Sequence, residues 1–97
     1  MNGVERINAE RERQKTVKGY TPEHDLQHSY TELAQASSCY LAVDPEPIVR
    51  LRWPWSPASF KRKNFPRPSI RDMEKGGALA AAAIDLRLAH DPTEDAG

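Results

Sequence analysis

The chain has 97 residues, of which 38% are hydrophobic and 29% are charged, and its 14 basic side chains balance its 14 acidic ones. This length suits one small domain and excludes a larger multidomain arrangement within it. Leu, Ile, Val and Phe together make up less than a fifth of the residues, which is near the lower limit for building a hydrophobic core. We therefore expect a thin core that is supplemented by an oligomer interface or by a bound ligand.

Cysteine content and the distribution of apolar residues predict the compartment. The single cysteine, Cys39, excludes an internal disulfide and a multi-cysteine metal site, and we expect it to be an inert thiol packed in a helix. The residues after Met1 become charged at once, and the longest apolar run, within 76–86, contains Asp85 and is too short to span a membrane. The sequence predicts a cytoplasmic protein with no signal peptide and no membrane segment.

The first predicted helix covers residues 2–18, which are good helix formers. Val4 and Ile7 lie on one helical stripe, and the remaining surface carries charges of both signs, so it is either a solvated face or a recognition face. We expect Gly19 to end this helix in a left-handed conformation.

Two further helices are predicted. The second covers residues 22–43, with Thr21 as N-cap and Pro22 at the first helical position. Its predicted packed face consists of residues that recur at helical spacing: Leu26, Tyr30, Leu33, Ser37, Tyr40 and Leu41. The third covers residues 69–90, with Ser69 as N-cap. The apolar stripe predicted for the third helix consists of Met73, Gly77, Ala80, Ala81, Ile84 and Leu88.

Small residues dominate the third predicted helix. Gly76 and Gly77 each cost about 1 kcal/mol relative to alanine in a helix interior, so tight helix packing or a ligand against the bare backbone must compensate. Small side chains also permit the close approach of another helix, and we expect a homo-oligomer that forms through this Ala/Gly-rich surface. Residues 91–97 form an acidic tail that we expect to be flexible.

Residues 44–68 are predicted to form a long loop, because six of the eight prolines lie there and each disfavours a helix at the preceding residue. The stretch 47–71 holds seven basic residues and no acidic ones, interleaved with Trp53, Trp55 and two phenylalanines. The tryptophans either cover the core or form a stacking platform, with neighbouring basic side chains binding phosphate. The predicted fold is therefore an all-α three-helix bundle over residues 1–90, with a long Pro/Trp-rich loop between helices 2 and 3.

Two histidines and a carboxylate follow each other at four-residue spacing in the second predicted helix. His24, His28 and Glu32 would share one strip, with Asp25 beside them, and two histidines one turn apart can bind a divalent ion together. The H-E-x-x-H order is absent, so we favour a polar network or a small-molecule contact over a metal site.

Several motifs, taken together and in order, resemble a family of small bacteriophage and prophage proteins. Its members usually read I-x-A-E-R-x-R-Q, G-W-T-x-E-H-D-x-x-H, G-E-L-A, W-P-W and K-A-G-A-L-I-x-A-E-I, and mostly have no assigned activity. The resemblance spans residues 4–88. The segments that carry it are Ile7 to Gln14, Gly19 to His28, Glu32 to Ala34, Trp53 to Trp55, Phe60 with Lys61, and Lys75 to Asp85.

The resemblance implies a pocket, since polar residues recur in the family pattern beyond what a fold requires. This chain departs from the pattern at Tyr20, where Trp is usual, and at Ala83, where Glu is usual. The second departure weakens any catalytic role that needs a carboxylate there. Besides the Trp-Pro-Trp loop, the recurring residues are Glu10, Arg13, Gln14, Glu23, His24, Asp25, His28, Glu32 and Lys75.

The predicted helical layout is also similar to that of MazG-like all-α nucleotide pyrophosphohydrolases. Those enzymes bind magnesium with E-x-x-E and E-x-x-D patterns on paired helices. Here neither pattern is intact, because Ala82 stands where the partner of Asp85 would be. A two-metal hydrolysis site would therefore lack ligands of the type that magnesium requires.

We therefore predict a phage accessory protein in the host cytoplasm that sequesters a nucleotide-like, phosphate-bearing small molecule without a cofactor or turnover, and so blunts a host defence signal. The phosphate is expected to meet Arg13, Arg52, Lys61 and Lys75. The base is expected to stack on Tyr20 and on Trp53 or Trp55. Ribose or base edges would bind Glu10, Gln14, His24, Asp25 and His28, and Glu23 and Glu32 complete the predicted set.

Two other classes of function stay open at this point. A MazG-like pyrophosphohydrolase would hold Mg²⁺ with His24, His28, Glu32 and Asp85, next to Asp25. The third class is an inhibitor of a host protein that acts through the loop that carries Trp53 and Trp55 (the Trp loop), or a nucleic-acid binder. The basic and aromatic loop favours nucleic acid, but the pI of about 6.8 and the absence of any DNA-binding motif in the sequence disfavour it.

Overall fold

The computed structural model describes residues 1–19 and 28–91. Within these ranges the chain forms four α-helices and no strand, which confirms the predicted all-α class. None of these helices is long and apolar enough to cross a membrane. The helices are α1 (Gly3–Thr16), α2 (Tyr30–Leu41), α3 (Glu46–Arg52) and α4 (Ile70–His90), and a 3-10 turn covers Pro57–Ser59.

The first and last helices each begin with a capping box. In α1, Asn2 and Glu5 exchange hydrogen bonds between side chain and backbone at 2.9 Å in both directions. In α4, Ser69 and Asp72 do the same at 2.9 and 3.0 Å. These side-chain oxygens satisfy N–H groups that have no partner within the first turn. Both helices lie within two residues of their predicted limits at each end.

The first helix ends slightly before its predicted limit. Its last residue is Thr16, and Gly19 then adopts a φ of 73°. That value is in the left-handed region, which costs glycine little because it has no Cβ. The predicted conformation of Gly19 is therefore correct, but the glycine lies beyond the C-cap, Val17, rather than at the helix end.

The second helix begins later than predicted. Ser29 caps α2, with Glu32 as its reciprocal partner, so His28 and Ser29 lie outside the helix rather than within the predicted 22–43. A serine followed three residues later by a glutamate is a local start signal that overrides the longer pattern of apolar residues. Residues 22–27 of that prediction lie outside the described part of the chain.

The predicted loop 44–68 contains the short helix α3. Pro45 is its N-cap and Pro47 lies in its first turn. Backbone N–H groups in the first turn have no acceptor within the helix, so the N–H that proline lacks costs no hydrogen bond there. An ion pair between Arg50 and Glu46 at 2.7 Å links successive turns. The prediction of three helices joined by one long loop is therefore wrong in this segment, because proline density also fits the start of a helix.

Helix α4 is the central element, and both α2 and α1 pack against it. The core lies mainly between α2 and α4 and is completed by Val49 of α3 and by Phe60 of the Trp loop. Partly buried Trp53, Trp55 and Phe65 extend it. The buried core residues are Leu33, Ala36, Cys39, Tyr40, Val49, Phe60, Leu79, Ala82, Ala83 and Leu86.

The adjacent glycines of α4 are covered by the two neighbouring helices. A Cβ at Gly76 would lie 2.7 Å from Cγ of Leu41, and one at Gly77 would lie 2.6 Å from Cδ1 of Ile7. The hydroxyl of Ser37 also donates a buried hydrogen bond to the carbonyl of Gly76 at 2.7 Å. Helix packing therefore provides the compensation that the glycine pair requires.

The apolar stripe predicted for α4 is not its buried face. Met73 is 44% exposed and Ile84 is 59% exposed, whereas α1 and α2 approach closely at Gly77 and Gly76. A contact between chains through α4 would use these exposed side chains rather than the glycines, and the oligomeric state stays a prediction. The buried residues of α4 are Asp72, Gly76, Ala78, Leu79, Ala82, Ala83 and Leu86.

A buried guanidinium holds the loop that leads into α4. Arg62 is 2% exposed and donates hydrogen bonds to the carbonyls of Cys39 at 2.9 Å, Asn64 at 2.8 Å and Pro66 at 3.0 Å. Its guanidinium carbon lies 4.3 Å from the centre of the Phe65 ring. The rigid fork of donors joins the end of α2 to this loop, which fixes the aromatic residues that precede it.

Candidate ligand-binding cleft

A cleft of about 290 Å³ opens between α1, α4 and the loop after α3. Its volume is near the lower end of the roughly 300–1,000 Å³ that is typical of small-molecule sites. The lining combines aromatic rings with basic side chains. Its described members are Glu10, Arg13, Gln14, Lys18, Tyr40, Trp53, Trp55, Ser59, Lys61, Arg71, Lys75 and Leu79.

Glu10 is the one carboxylate among the described lining residues, and it is only 3% exposed. It accepts hydrogen bonds from Arg13 at 2.8 and 3.0 Å and from Gln14 at 3.1 Å, and Nη1 of Arg71 lies 2.6 Å from its Oε1. Burial raises the pKa of Glu10, but the hydrogen bonds from Arg13, Arg71 and Gln14 together outweigh it and lower the pKa to about 2. Glu10 is therefore ionised at neutral pH, with both oxygens engaged.

This ion cluster continues from α4 back to α1. Arg71 also donates to Glu74 at 3.1 Å, and Glu74 accepts a second hydrogen bond from Arg6, again at 3.1 Å. Hydrogen bonds from Arg6 and Arg71 lower the pKa of Glu74. The two helical walls of the cleft are thus joined by charge-assisted hydrogen bonds, which are stronger than neutral ones.

Trp53 anchors the aromatic wall in the core. Its ring stacks on Phe60 at a centroid distance of 4.5 Å and meets Tyr40 edge-on at 5.7 Å. Its indole N–H donates to the carbonyl of Ser56 at 3.1 Å and to the hydroxyl of Ser59 at 3.0 Å. Trp53 therefore covers the core and lines the cleft at the same time, so the two interpretations of the Trp loop hold together for this residue.

Trp55 forms the outer part of this wall and is held from behind by the start of α2. It meets Trp53 edge-on at 5.3 Å, and its indole N–H donates to Oε2 of Glu32 at 3.0 Å. The His28 ring lies 4.9 Å away at 47°. Hydrogen bonds from the Ser29 backbone and from Trp55 lower the pKa of Glu32. His28 and Glu32 therefore support the aromatic wall without being lining residues themselves.

Three lysines complete the positive charge of the cleft. Lys18 and Lys61 are exposed, and Lys75 is half-buried with its ammonium 5.9 Å from the centre of the Tyr40 ring. Burial lowers the pKa of Lys75, and the charge of Arg71 adds to this effect. An anion bound beside Lys75 would oppose both contributions.

Gln14 presents an acceptor that none of the described residues uses. Its side-chain N–H₂ faces the carboxylate of Glu10, which can only accept. Its Oε1 is therefore the remaining polar atom of the side chain, and it is buried with no hydrogen-bond partner within residues 1–19 and 28–91. A buried acceptor without a donor costs roughly 1–3 kcal/mol, so a donor that entered the cleft and reached this atom would gain from the contact.

The structure brings together half of the predicted site. Seven predicted residues line the cleft: Glu10, Arg13, Gln14, Trp53, Trp55, Lys61 and Lys75. His28 and Glu32 lie behind Trp55. Arg52 is not among the lining residues, and instead its Nη1 lies 3.4 Å from Asp44. Tyr20, Glu23, His24 and Asp25 lie outside the described residues.

Sequence reasoning missed five lining residues. Arg71, Lys75 and Leu79 recur at four-residue spacing, so one side of α4 faces the cleft. This four-residue spacing is visible in the sequence, but the predicted apolar stripe through Met73, Gly77 and Ile84 places the packed face elsewhere on α4. The lining residues missed are Lys18, Tyr40, Ser59, Arg71 and Leu79.

The alternative metal site receives no support from the residues described. Within 1–19 and 28–91, no group of three or more His, Cys, Asp or Glu side chains could hold a metal ion. His28 and Glu32 do not share a helix, and Asp85 is 61% exposed and lies 3.6 Å from Arg11. His24, the remaining predicted ligand, lies outside the described residues.

Comparisons of the chain with protein-family models, with curated proteins and with solved structures find no match. The described lining of the cleft combines planar rings with an excess of positive charge.

Proposed function

We propose that this protein binds a nucleotide-like, phosphate-bearing small molecule in the cleft between α1, α4 and the Trp loop. The observation that carries the proposal is the lining itself. Among the described lining residues there are five basic side chains, one carboxylate and three aromatic rings. Aromatic side chains stack on bases, and lysine and arginine bind phosphate.

Each end of such a ligand has a chemical counterpart in the cleft. Trp55 is a partly buried ring that packs against the core and lines the cleft, where it can stack on a base. Lys61 and Lys75 provide positive charge for the phosphate. The unused Oε1 of Gln14 favours a ligand that carries an N–H or O–H donor on its planar part.

The proposal is sequestration rather than turnover. Glu10 is a poor general base, because its pKa is about 2 and its oxygens already accept hydrogen bonds from Arg13, Arg71 and Gln14. Sequestration needs only affinity and copy number. Together with the resemblance to small phage proteins, this supports a phage accessory role in which the bound molecule is a host defence signal.

Isothermal titration of the purified chain with a panel of nucleotides, with and without magnesium, tests the proposal. We expect binding that survives EDTA and leaves the nucleotide intact. Stacking contributes roughly 1–3 kcal/mol per base, so Trp55→Leu should weaken binding at least fivefold, whereas Trp55→Phe should retain most of it. Tyr30→Leu, an exposed aromatic residue outside the cleft, is the matched control.

Other outcomes would decide against the proposal. Magnesium-dependent release of pyrophosphate would favour the hydrolase alternative. A stable complex with a host protein or with nucleic acid, and no small-molecule ligand, would favour the third class. If Trp55→Leu binds the nucleotide as tightly as the unaltered chain does, the ligand does not bind against Trp55 in this cleft.

The proposal also includes a homo-oligomer that forms through α4. The exposed side chains of Met73 and Ile84 support it, because large apolar groups on one helix are typical of contact surfaces. Sedimentation analysis of Ile84→Glu against the unaltered chain tests this. A smaller species is expected for the variant, and an unchanged monomer in both would refute the oligomer.

A further inference from the structure

The positive charges in the cleft fall into two groups. Arg13 and Arg71 are bound to Glu10 at distances from 2.6 to 3.0 Å. The Arg13 pair lies within α1, and the Arg71 pair joins α4 to α1. The ammonium groups of Lys18, Lys61 and Lys75 have no hydrogen-bonded or ion-paired acceptor within residues 1–19 and 28–91. These three lysines are the charges left for a ligand.

The charge of the three lysines exceeds what one phosphate can neutralise. Among the described lining residues, Arg13 and Arg71 pair with Glu10, and Arg71 also pairs with Glu74, so Lys18, Lys61 and Lys75 contribute a charge of +3. A phosphate monoester carries about −1.5 to −2 at neutral pH. A nucleoside monophosphate would therefore leave roughly a third to a half of this charge unneutralised.

The arrangement of the lysines also favours an extended anion. Lys18 follows α1, Lys61 lies in the Trp loop and Lys75 lies in α4, so the charge comes from three separate segments around the cleft. Lysine acts as a mobile point charge and does not impose the planar, two-point geometry of arginine. Such a set suits a chain of phosphates better than a single group.

Resting on the function proposed above, we propose that the ligand of this cleft carries at least two linked phosphate groups, as a nucleoside diphosphate does, with its planar part against Trp55 and its phosphates among Lys18, Lys61 and Lys75. The cleft then discriminates by charge as well as by stacking. Nucleoside monophosphates are weak ligands on this view.

Calorimetric titration with matched mono- and diphosphates of adenosine, guanosine, cytidine and uridine, without divalent cations, tests the inference. At least one diphosphate should bind roughly tenfold or more tightly than its monophosphate. Lys61→Gln and Lys75→Gln should each weaken diphosphate binding roughly fivefold to tenfold. Each should therefore narrow the difference in affinity between the diphosphate and the monophosphate. Lys63→Gln is the matched control, since Lys63 is exposed, lies two residues from Lys61 and does not line the cleft.

The outcomes separate this inference from the proposed function. Equal affinity for mono- and diphosphates would overturn the inference and leave the nucleotide-binding proposal standing. Binding of neither nucleotides nor inorganic pyrophosphate would overturn both. An effect of Lys63→Gln as large as that of Lys61→Gln would show general attraction of anions to the surface, and would also overturn the inference. Circular dichroism of each variant establishes that it is folded.

Discussion

The indole N–H of Trp55 donates to one oxygen of Glu32 at 3.0 Å, while the other oxygen of that carboxylate accepts the capping hydrogen bond from the backbone of Ser29 at 3.2 Å. A single side chain thereby starts α2 and fixes the outer wall of the cleft. The start of a helix and the shape of the candidate site therefore depend on the same carboxylate.

This double role can be separated by mutation. Glu32→Ala should release Trp55 and weaken ligand binding, whereas Ser29→Ala should cost only the cap, about 1 kcal/mol of stability. We expect the emission spectrum of Trp55, measured in a Trp53→Phe background, to shift in Glu32→Ala and to stay unchanged in Ser29→Ala. If the two variants have the same emission spectrum, Glu32 does not position the indole.

Glu10 should make the fold sensitive to acid. Its pKa in the folded chain is about 2, below its ordinary value of 4.5, so the folded state binds fewer protons than the unfolded state. Its contribution to stability is therefore present above pH 4.5 and is lost as the pH falls from 4.5 towards 2. Thermal unfolding across this range should show a steeper loss for the unaltered chain than for Glu10→Gln.

Glu12→Gln is the control for this experiment, because Glu12 is on the same helix but is exposed, and among the described residues its side chain pairs only with Lys15, at 3.3 Å. It should keep the full acid sensitivity. At neutral pH, Glu10→Gln should lower stability by roughly 1–3 kcal/mol, since Arg13 loses the Glu10 anion and, among the described residues, Arg71 keeps only Glu74. If the thermal stability of Glu10→Gln and of the unaltered chain falls in parallel with pH, the acid sensitivity does not come from Glu10.

The glycines of α4 predict a difference between two alanine substitutions. Alanine should gain about 1 kcal/mol of helix propensity, but overpacking typically costs 1–3 kcal/mol. At Gly77 the crowding atoms are the flexible end of Ile7, whereas at Gly76 they include Cβ of Tyr40 at 3.1 Å. Gly76→Ala should therefore be the more destabilising, as measured by chemical denaturation.

Two companion variants sharpen this comparison. Ile7→Ala should relieve Gly77→Ala, so that the double variant is more stable than the two single effects predict. Gly3→Ala should be neutral or stabilising, because a Cβ there would meet no atom within 4 Å. Strictly additive effects of Ile7→Ala and Gly77→Ala would show that the two positions do not compete for space.

Arg62 should be irreplaceable by lysine. An ammonium group cannot reach the carbonyls of Cys39, Asn64 and Pro66 at once, so at least one buried acceptor loses its donor. Arg62→Lys should lower the free energy of unfolding by roughly 2–4 kcal/mol. Arg67→Lys, in the same loop but exposed, should have little effect, and an equal loss in both variants would contradict the role of Arg62.

Local signals explain what the sequence could predict. The Ser69 cap and Asp72 mark the start of α4, and charged and aromatic residues mark much of the cleft. Apolar spacing predicts the wrong buried face for α4, because small residues let α1 and α2 approach at Gly77 and Gly76. Met73 and Ile84 of the predicted stripe are exposed, and Arg71 lies on the side that faces the cleft.

The other errors also have physical causes. The density of prolines in 44–68 predicts a loop and so misses α3, although proline is compatible with the first turn of a helix. Apolar spacing predicts a start of α2 that is too early, because the capping box of Ser29 and Glu32 is the stronger local signal. Helical spacing predicts only that Tyr40 packs on its helix face, and its part in the cleft depends on how distant segments come together.

The register of α4 does not allow a residue to be inserted or deleted within this helix. Arg71 and Lys75 face the cleft, while Asp72 and Gly76, one position further along, are buried against the rest of the chain. Inserting one residue before Lys75 would rotate everything after it by about 100°, which would exchange cleft and core positions together. Among variants of this protein that still fold and bind, insertions and deletions should therefore be absent from α4, even where individual residues change freely.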